Sequence, residues 1–197
     1  MSVTPSLTAR STIADRFVPR SLAADAALIV GGAVLTALLA QVSIPMWPVW
    51  ITGQTLAVLL VGATLGAVRG AISMGLYLVA GLIGVPVFTN WGSGFDTVTT
   101  PQFGYIIGFI ASAALMGFFA QRGWDRSPLK AVAAFVLADA IIYPFGLAFL
   151  LLTLSRLGAN PDFATVLRLG LVPFFVGDGI KIVIAAAALP LAWRLRR

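Results

Sequence analysis

Asp178 and Lys181 stand three residues apart near the start of the last apolar stretch, VGDGIKIVIAAAALPLAWRLRR. Residues at i and i+3 share one face of a helix. A lone charge at the centre of a membrane helix costs about 2.5–3.5 kcal/mol on insertion scales, so such charges pair with each other or serve a function. The pair could simply neutralise itself. It could also grip a ligand, the carboxylate accepting two N–H bonds while the ammonium donates to an oxygen. A cyclic urea offers two N–H groups and one C=O. Cyclic amides and pyrimidine-like rings offer variants of the same complement. Gly177 and Gly179 flank Asp178 and would let a ligand or a backbone come close.

A second acid, Asp139, lies in FVLADAIIYPF with Tyr143 four residues on. It either bonds a neighbouring helix or lines a cavity. Asp139 and Asp178 together could form the carboxylate dyad of an intramembrane aspartyl protease, two acids sharing a proton. Such proteases use G-x-G-D, and Phe175 replaces the first glycine here. Lys181, one turn from Asp178, would also hold that acid ionised. The sequence has no histidine and no cysteine, which removes the usual proton relay and metal ligands. No Walker loop is present, so uphill transport would draw energy from a partner or an ion gradient.

These residues need a scaffold, and composition says which. Of 197 residues, 59% are hydrophobic and 10% charged. Uncharged runs extend over 26–68, 70–95 and 97–121, and a bilayer-spanning helix takes about 20 apolar residues. The expected fold is an all-α integral membrane protein with six transmembrane helices in one compact bundle, at about 22–41, 54–66, 71–84, 105–121, 131–154 and 171–193. Residues 1–21 read as a disordered cytoplasmic tail, 22–193 as the six-helix substrate-binding domain and 194–197 as a basic cytoplasmic end. With the N- and C-termini cytoplasmic, ten basic residues (Arg10, Arg16, Arg20, Arg69, Arg122, Arg126, Lys130, Arg194, Arg196, Arg197) fall inside. Two, Arg156 and Arg168, fall outside. The positive-inside bias favours this arrangement. It also accounts for the net charge of +6 without nucleic acid as a partner.

Two irregular segments, 42–53 and 85–104, then share the outer side. Non-helical backbone at membrane depth must be buried in protein or line a watery cavity. Trp47, Trp50 and Trp91 are interfacial anchors or parts of a lid over an outward pocket. Pro144 should kink the fifth helix. Gly62, Gly66 and Gly70 repeat every four residues, as do Ala23/Ala27 and Ala33/Ala37. Such spacing lets helices approach closely. It serves the bundle itself or, most plausibly on the first helix, another membrane protein.

The stretch AQVSIPMWPVWITGQTLAVLLVGATLGAVRGAISMGLYLVAGLIGVPVF, residues 40–88, resembles the BioY family, the biotin-binding S components of energy-coupling factor (ECF) transporters. It keeps Ile44, Pro45, Pro48, Val49, Ile51, Thr52, Gln54, Thr55 and Leu56. It also keeps Leu76, Tyr77, Leu78, Gly81, Gly84, Pro86, Val87 and Phe88. GYIIGF (104–109) and GDGIK (177–181) fit too, and the likeness covers about 22–193. The resemblance implies a multi-pass protein of the bacterial inner membrane with an outward pocket for biotin and no resident cofactor or metal. Asp178 and Lys181 match the family's ligand-holding acid and lysine. Gln54 and Trp91 are further candidates for the pocket, with Asn90 and Tyr105 at the valerate end. The implied partners are a membrane coupling subunit and ABC-type ATPase subunits, docked on Ala23, Ala27, Ala33 and Ala37. The chain departs from the family in its longer outer segment, TNWGSGFDTVTTPQ, and in having no arginine early in the fourth helix. An S component for another vitamin is the nearest alternative.

Overall fold

A computed structural model describes residues 12–19 and 21–194. The chain is mostly helical. A short helix α1 (Ala14–Phe17) precedes α2 (Leu22–Ala40). Strands β1 (Ser43–Ile44) and β2 (Ile51–Thr52) follow, then α3 (Gln54–Leu65), α4 (Ala67–Leu82), α5 (Gln102–Gln121), α6 (Pro128–Ala140), α7 (Ile142–Arg156), α8 (Phe163–Gly170) and α9 (Phe174–Arg194). Three stretches are long and apolar enough to cross a bilayer: Leu22–Ala40, Gln102–Gln121 and the broken Pro128–Arg156. The bent pair α8–α9 makes a fourth, while α3 and α4 are shorter apolar helices.

Helix α5 is the central post, touching α3, α4, α6 and α7. Its close approach needs missing side chains. A Cβ on Gly117 would strike the Gly66–Ala67 backbone, and one on Gly104 the Phe145 carbonyl and the Phe149 side chain. Gly62 and Gly70 likewise face each other and Ala113. The glycine repeat therefore serves the bundle's own crossings. On α2, Gly32, Ala33, Thr36 and Ala40 are buried, a four-residue period that lies against α4. Of the alanines expected on a docking surface, Ala33 is buried in this internal face and Ala37, partly buried, packs against the core. Ala23 and Ala27 are exposed.

Several expected boundaries shift for local reasons. The turn after α3 is the single residue Gly66, with φ 87°, a left-handed conformation that favours glycine. Arg69 is therefore inside α4, and its Nε donates to the Leu65 carbonyl at 2.9 Å, closing the end of α3. The expected kink near Pro144 is a break at Ile141, between α6 and α7. Proline lacks the N–H that would bond the Ala140 carbonyl. Segment 42–53 pairs as a small hairpin, Ser43 with Thr52 and Ile44 with Ile51. The expected connector 155–170 carries α8, whose first turn is capped by Asp162 accepting from the Thr165 N–H at 2.9 Å. It meets α9 at 44°, with Pro173 in the break.

The tail reading is corrected over 12–19. Thr12, Ile13 and Ala14 are buried. The Thr12 N–H and hydroxyl both donate to Asp15, each at 2.9 Å, in the manner of a capping box. Asp15 pairs with Arg69 at 2.8 Å, and Arg69 also reaches Asp25 at 2.9 Å. Burial pushes the Asp15 carboxyl up, but the Thr12 hydrogen bonds and Arg69 outweigh it and hold it below the usual carboxylate range. Next to it, Arg16 lies over the Trp193 ring at 4.2 Å, with Arg126 over the same ring at 4.4 Å. The Trp193 indole N–H donates to the fully buried Asp125. α1 thus ties α4 to the end of α9. Arg10, Arg20, Arg196 and Arg197 lie outside the described residues.

Candidate functional site

The break between α6 and α7 places Asp139, Ile142 and Tyr143 around a cavity. The first turn of α3 adds Thr55, and the N-terminal part of α9 adds Asp178 and Lys181. Its apolar walls are Val49 and Trp50 of the hairpin, Phe109 of α5 and Phe174 of α9. Asp178 is 6% exposed. Its carboxylate is held from two sides. Lys181 Nζ donates to Oδ1 at 3.0 Å and to the Thr55 hydroxyl at 2.7 Å. Thr55 Oγ1 in turn sits 3.5 Å from Oδ1, and the Tyr143 hydroxyl donates to Oδ2. A buried carboxylate requires such partners.

A second cavity continues toward the outer loop and shares Trp50, Gln54, Thr89 and Gln102 with the first. It adds Asn90, Thr97, Thr100 and Ile106. Its polar groups are neutral amides and hydroxyls. Gln54, 4% exposed, is the knot between the two halves. Its Nε2 donates to the Tyr77 hydroxyl at 2.6 Å, and its Oε1 accepts from Thr52 at 2.7 Å and Thr89 at 3.2 Å. Tyr77 passes the chain on to the Val87 carbonyl at 3.1 Å. Hairpin, α4 and outer loop are thereby fixed relative to α3.

Asp178, Lys181 and Gln54 therefore meet in one place, and Asn90 lines the adjoining half. Tyr105 lies in the inner cavity rather than beside Asn90. Its hydroxyl is committed to the Gly170 carbonyl at 2.6 Å, an orphan acceptor at the end of α8. Trp91 lines neither cavity. Asn90 and Trp91 are consecutive left-handed residues, φ 55° and 58°, and the indole is turned outward, 64% exposed. Trp50 lines both cavities. Thr55 and Tyr143 are the residues missed as site members. The i+4 spacing of Asp139 and Tyr143 was a visible signal. For Thr55 the signals are its place in the family-like run 44–56 and a hydroxyl at the start of an apolar helix.

Comparison with known proteins decides the family. The BioY family matches residues 9–197. The chain belongs to the BioY family. A biotin transporter of this family from Rhizobium etli is 34% identical over 167 residues, covering 81% of this chain and 86% of that one. One from Thermotoga maritima is 32% identical over 172 residues, covering 86% and 95%. The crystal structure of the S component for biotin from an ECF-type ABC transporter superposes with a TM-score of 0.71 at 26% identity. It covers 90% of this chain and 94% of that one. As a BioY member the chain has the S-component fold and is a transport component of the membrane.

Proposed function

We propose that the chain is the biotin-binding transmembrane subunit of an ECF-type transporter in the bacterial inner membrane. It is a transport component, not an enzyme. The observation that carries this reading is the Asp178–Lys181 pair facing a cavity with apolar walls, in a chain whose relatives are biotin transporters. Asp178 accepts a ureido N–H, and Lys181 donates to the ureido oxygen. Val49, Trp50, Phe109 and Phe174 enclose the fused rings. The valerate runs into the outer cavity, where Asn90, Thr97, Thr100 and Gln102 meet its carboxylate with neutral donors. Asp178 and Lys181 pair with each other at 3.0 Å, so a ligand taken between them exchanges their mutual bond for bonds to its own groups.

Six spans with both termini cytoplasmic remain our topology, supported by the ten-to-two split of basic residues. α3 has 12 residues, about 18 Å of helix against a hydrocarbon core of about 30 Å. The hairpin before it completes that crossing on the outer side. The exposed Ala23 and Ala27 on α2 supply the docking face for a membrane coupling subunit, and ATPase subunits joined to it supply the energy. A protease dyad of Asp139 and Asp178 is disfavoured because Lys181, Thr55 and Tyr143 already engage Asp178.

The test is uptake of radiolabelled biotin by a bacterium lacking its own biotin importer, with and without co-expressed coupling and ATPase subunits. Uptake that needs this chain and is lost in Asp178→Asn supports the proposal. Uptake of riboflavin or thiamine in place of biotin would reassign the ligand.

A further inference from the structure

Two buried carboxyls meet at the inner cavity. Asp139, in the last turn of α6 before the break at Ile141, and Asp178 of α9 are each 6% exposed. Both line the cavity with Lys181 and Tyr143. The side chains of the two acids are hydrogen-bonded to each other. Among the described residues, the buried side-chain polar atoms without a partner are Ser112 Oγ and Asp125 Oδ1, so the Asp139 carboxyl is satisfied. An ionised carboxylate can only accept a hydrogen bond. A bond between two carboxyls therefore contains a proton, and one of the acids is neutral. Their surroundings decide which. Lys181 and Tyr143 donate to Asp178, and Thr55 lies against it. Such donors favour the ionised form of Asp178, so the proton belongs to Asp139. The other titratable groups facing Asp139 are few. α9 brings Asp178 and Lys181, α7 brings Tyr143, and Tyr105 of α5 stands beside Tyr143 with ring centroids 6.4 Å apart. α3 brings Thr55 and no charge.

We propose that Asp139 is a positioning residue that keeps its proton and donates it in a hydrogen bond to Asp178, leaving Lys181 available to an entering ligand. This rests on the biotin reading above and adds a pH dependence to it. A neutral Asp139 leaves the site with one negative and one positive charge around an uncharged ureido ring. An ionised Asp139 would repel Asp178 and draw Lys181 toward the two carboxylates, away from the ureido oxygen. Binding therefore favours the protonated form. Affinity is full at mildly acidic pH and falls as pH rises through the ionisation of Asp139.

Two measurements on the purified chain in detergent test this. The first is infrared spectroscopy without ligand. At mildly acidic pH, wild type should show a protonated-carboxyl C=O band that is missing from Asp139→Asn. The second is biotin affinity at mildly acidic and mildly alkaline pH. Wild type should bind about tenfold more weakly at the higher pH, as expected when a hydrogen bond to a charged group is lost. Asp139→Leu, which fills the volume without a donor, should show about that loss already at the lower pH. Asp139→Asn keeps a donor and cannot ionise, so it should rescue the loss and bind equally at both pH values. A merely structural role would leave the pH profile of Asp139→Asn like that of wild type. That result, an Asn variant binding no better than the Leu variant, or identical carboxyl bands in wild type and Asp139→Asn would overturn the proposal. Folded wild type that shows the band and does not bind biotin would instead refute the reading on which the proposal rests.

Discussion

Replacing Lys181 by methionine separates what the buried pair does for the fold from what it does for a ligand. At 3.0 Å and an effective dielectric constant of about 20, the attraction between the two charges is about 5–6 kcal/mol. Desolvation of two ions, several kcal/mol each, offsets most of it. The intact pair is therefore close to neutral for stability, whereas removing one partner strands the other. That loss is about 3–5 kcal/mol for a buried pair. Thr55 and Tyr143 remain on Asp178, so the lower end applies. For a chain of this size about 3 kcal/mol corresponds to a fall of about 6–12 °C in Tm. The double variant Asp178→Asn/Lys181→Met strands nothing and should recover most of the loss. Both single variants and the double should bind biotin at least about tenfold more weakly. Thermal unfolding in one detergent, without ligand, reads the first effect, and biotin titration reads the second. A Lys181→Met protein melting within about 2 °C of wild type, or a double variant melting no higher than the single, would refute the reasoning.

The exposed and buried alanines of α2 should behave differently. Ala27→Leu should leave melting and biotin binding unchanged while lowering uptake with coupling subunits present, whereas Ala33→Leu should lower Tm through overpacking, by about 1–3 kcal/mol. Arg69→Gln should free α1, seen as faster amide hydrogen exchange over residues 14–18. The Asp15 carboxyl is held below its ordinary value of 3.8. Its contribution is thus fully present above that value and lost as pH falls below it, and wild type should lose more Tm than Arg69→Gln over that range. Asp125 shifts the opposite way, because burial raises it against the pull of the Trp193 hydrogen bond and Arg126. Its native state binds protons more tightly than its unfolded state, so stability falls as pH rises. Asp125→Asn should therefore melt at or above wild type at pH 7, with the advantage shrinking as pH is lowered.

Long uncharged runs made the helices legible, and the two intramembrane charges at i and i+3 pointed to the cavity that forms the candidate site. What escaped was set by contacts across the chain. α1 is four residues long and owes its place to Arg69, a residue 54 positions away. α8 is amphipathic rather than apolar, so hydropathy alone passes over it. The face of α2 that holds Ala33 and Ala37 has the same small-residue spacing whether it meets this chain's α4 or another protein. Only tertiary structure distinguishes the two. Tyr105 and Trp91 were named for their type and position in the loops. One had its hydroxyl claimed by Gly170, and the other was turned outward by two left-handed residues. Thr55 becomes a site residue only because α9 brings Lys181 to it, 126 residues along the chain.

The most direct measurement is a titration of biotin onto the purified chain alone, in detergent, beside Asp178→Asn, with riboflavin and thiamine as controls. The account predicts one biotin bound per chain with sub-micromolar Kd, roughly the range in which a built pocket operates. It also predicts a Kd raised at least about tenfold in the folded variant, and no response to either control. Equal biotin affinity in wild type and Asp178→Asn, or no biotin binding by folded wild type, would contradict it.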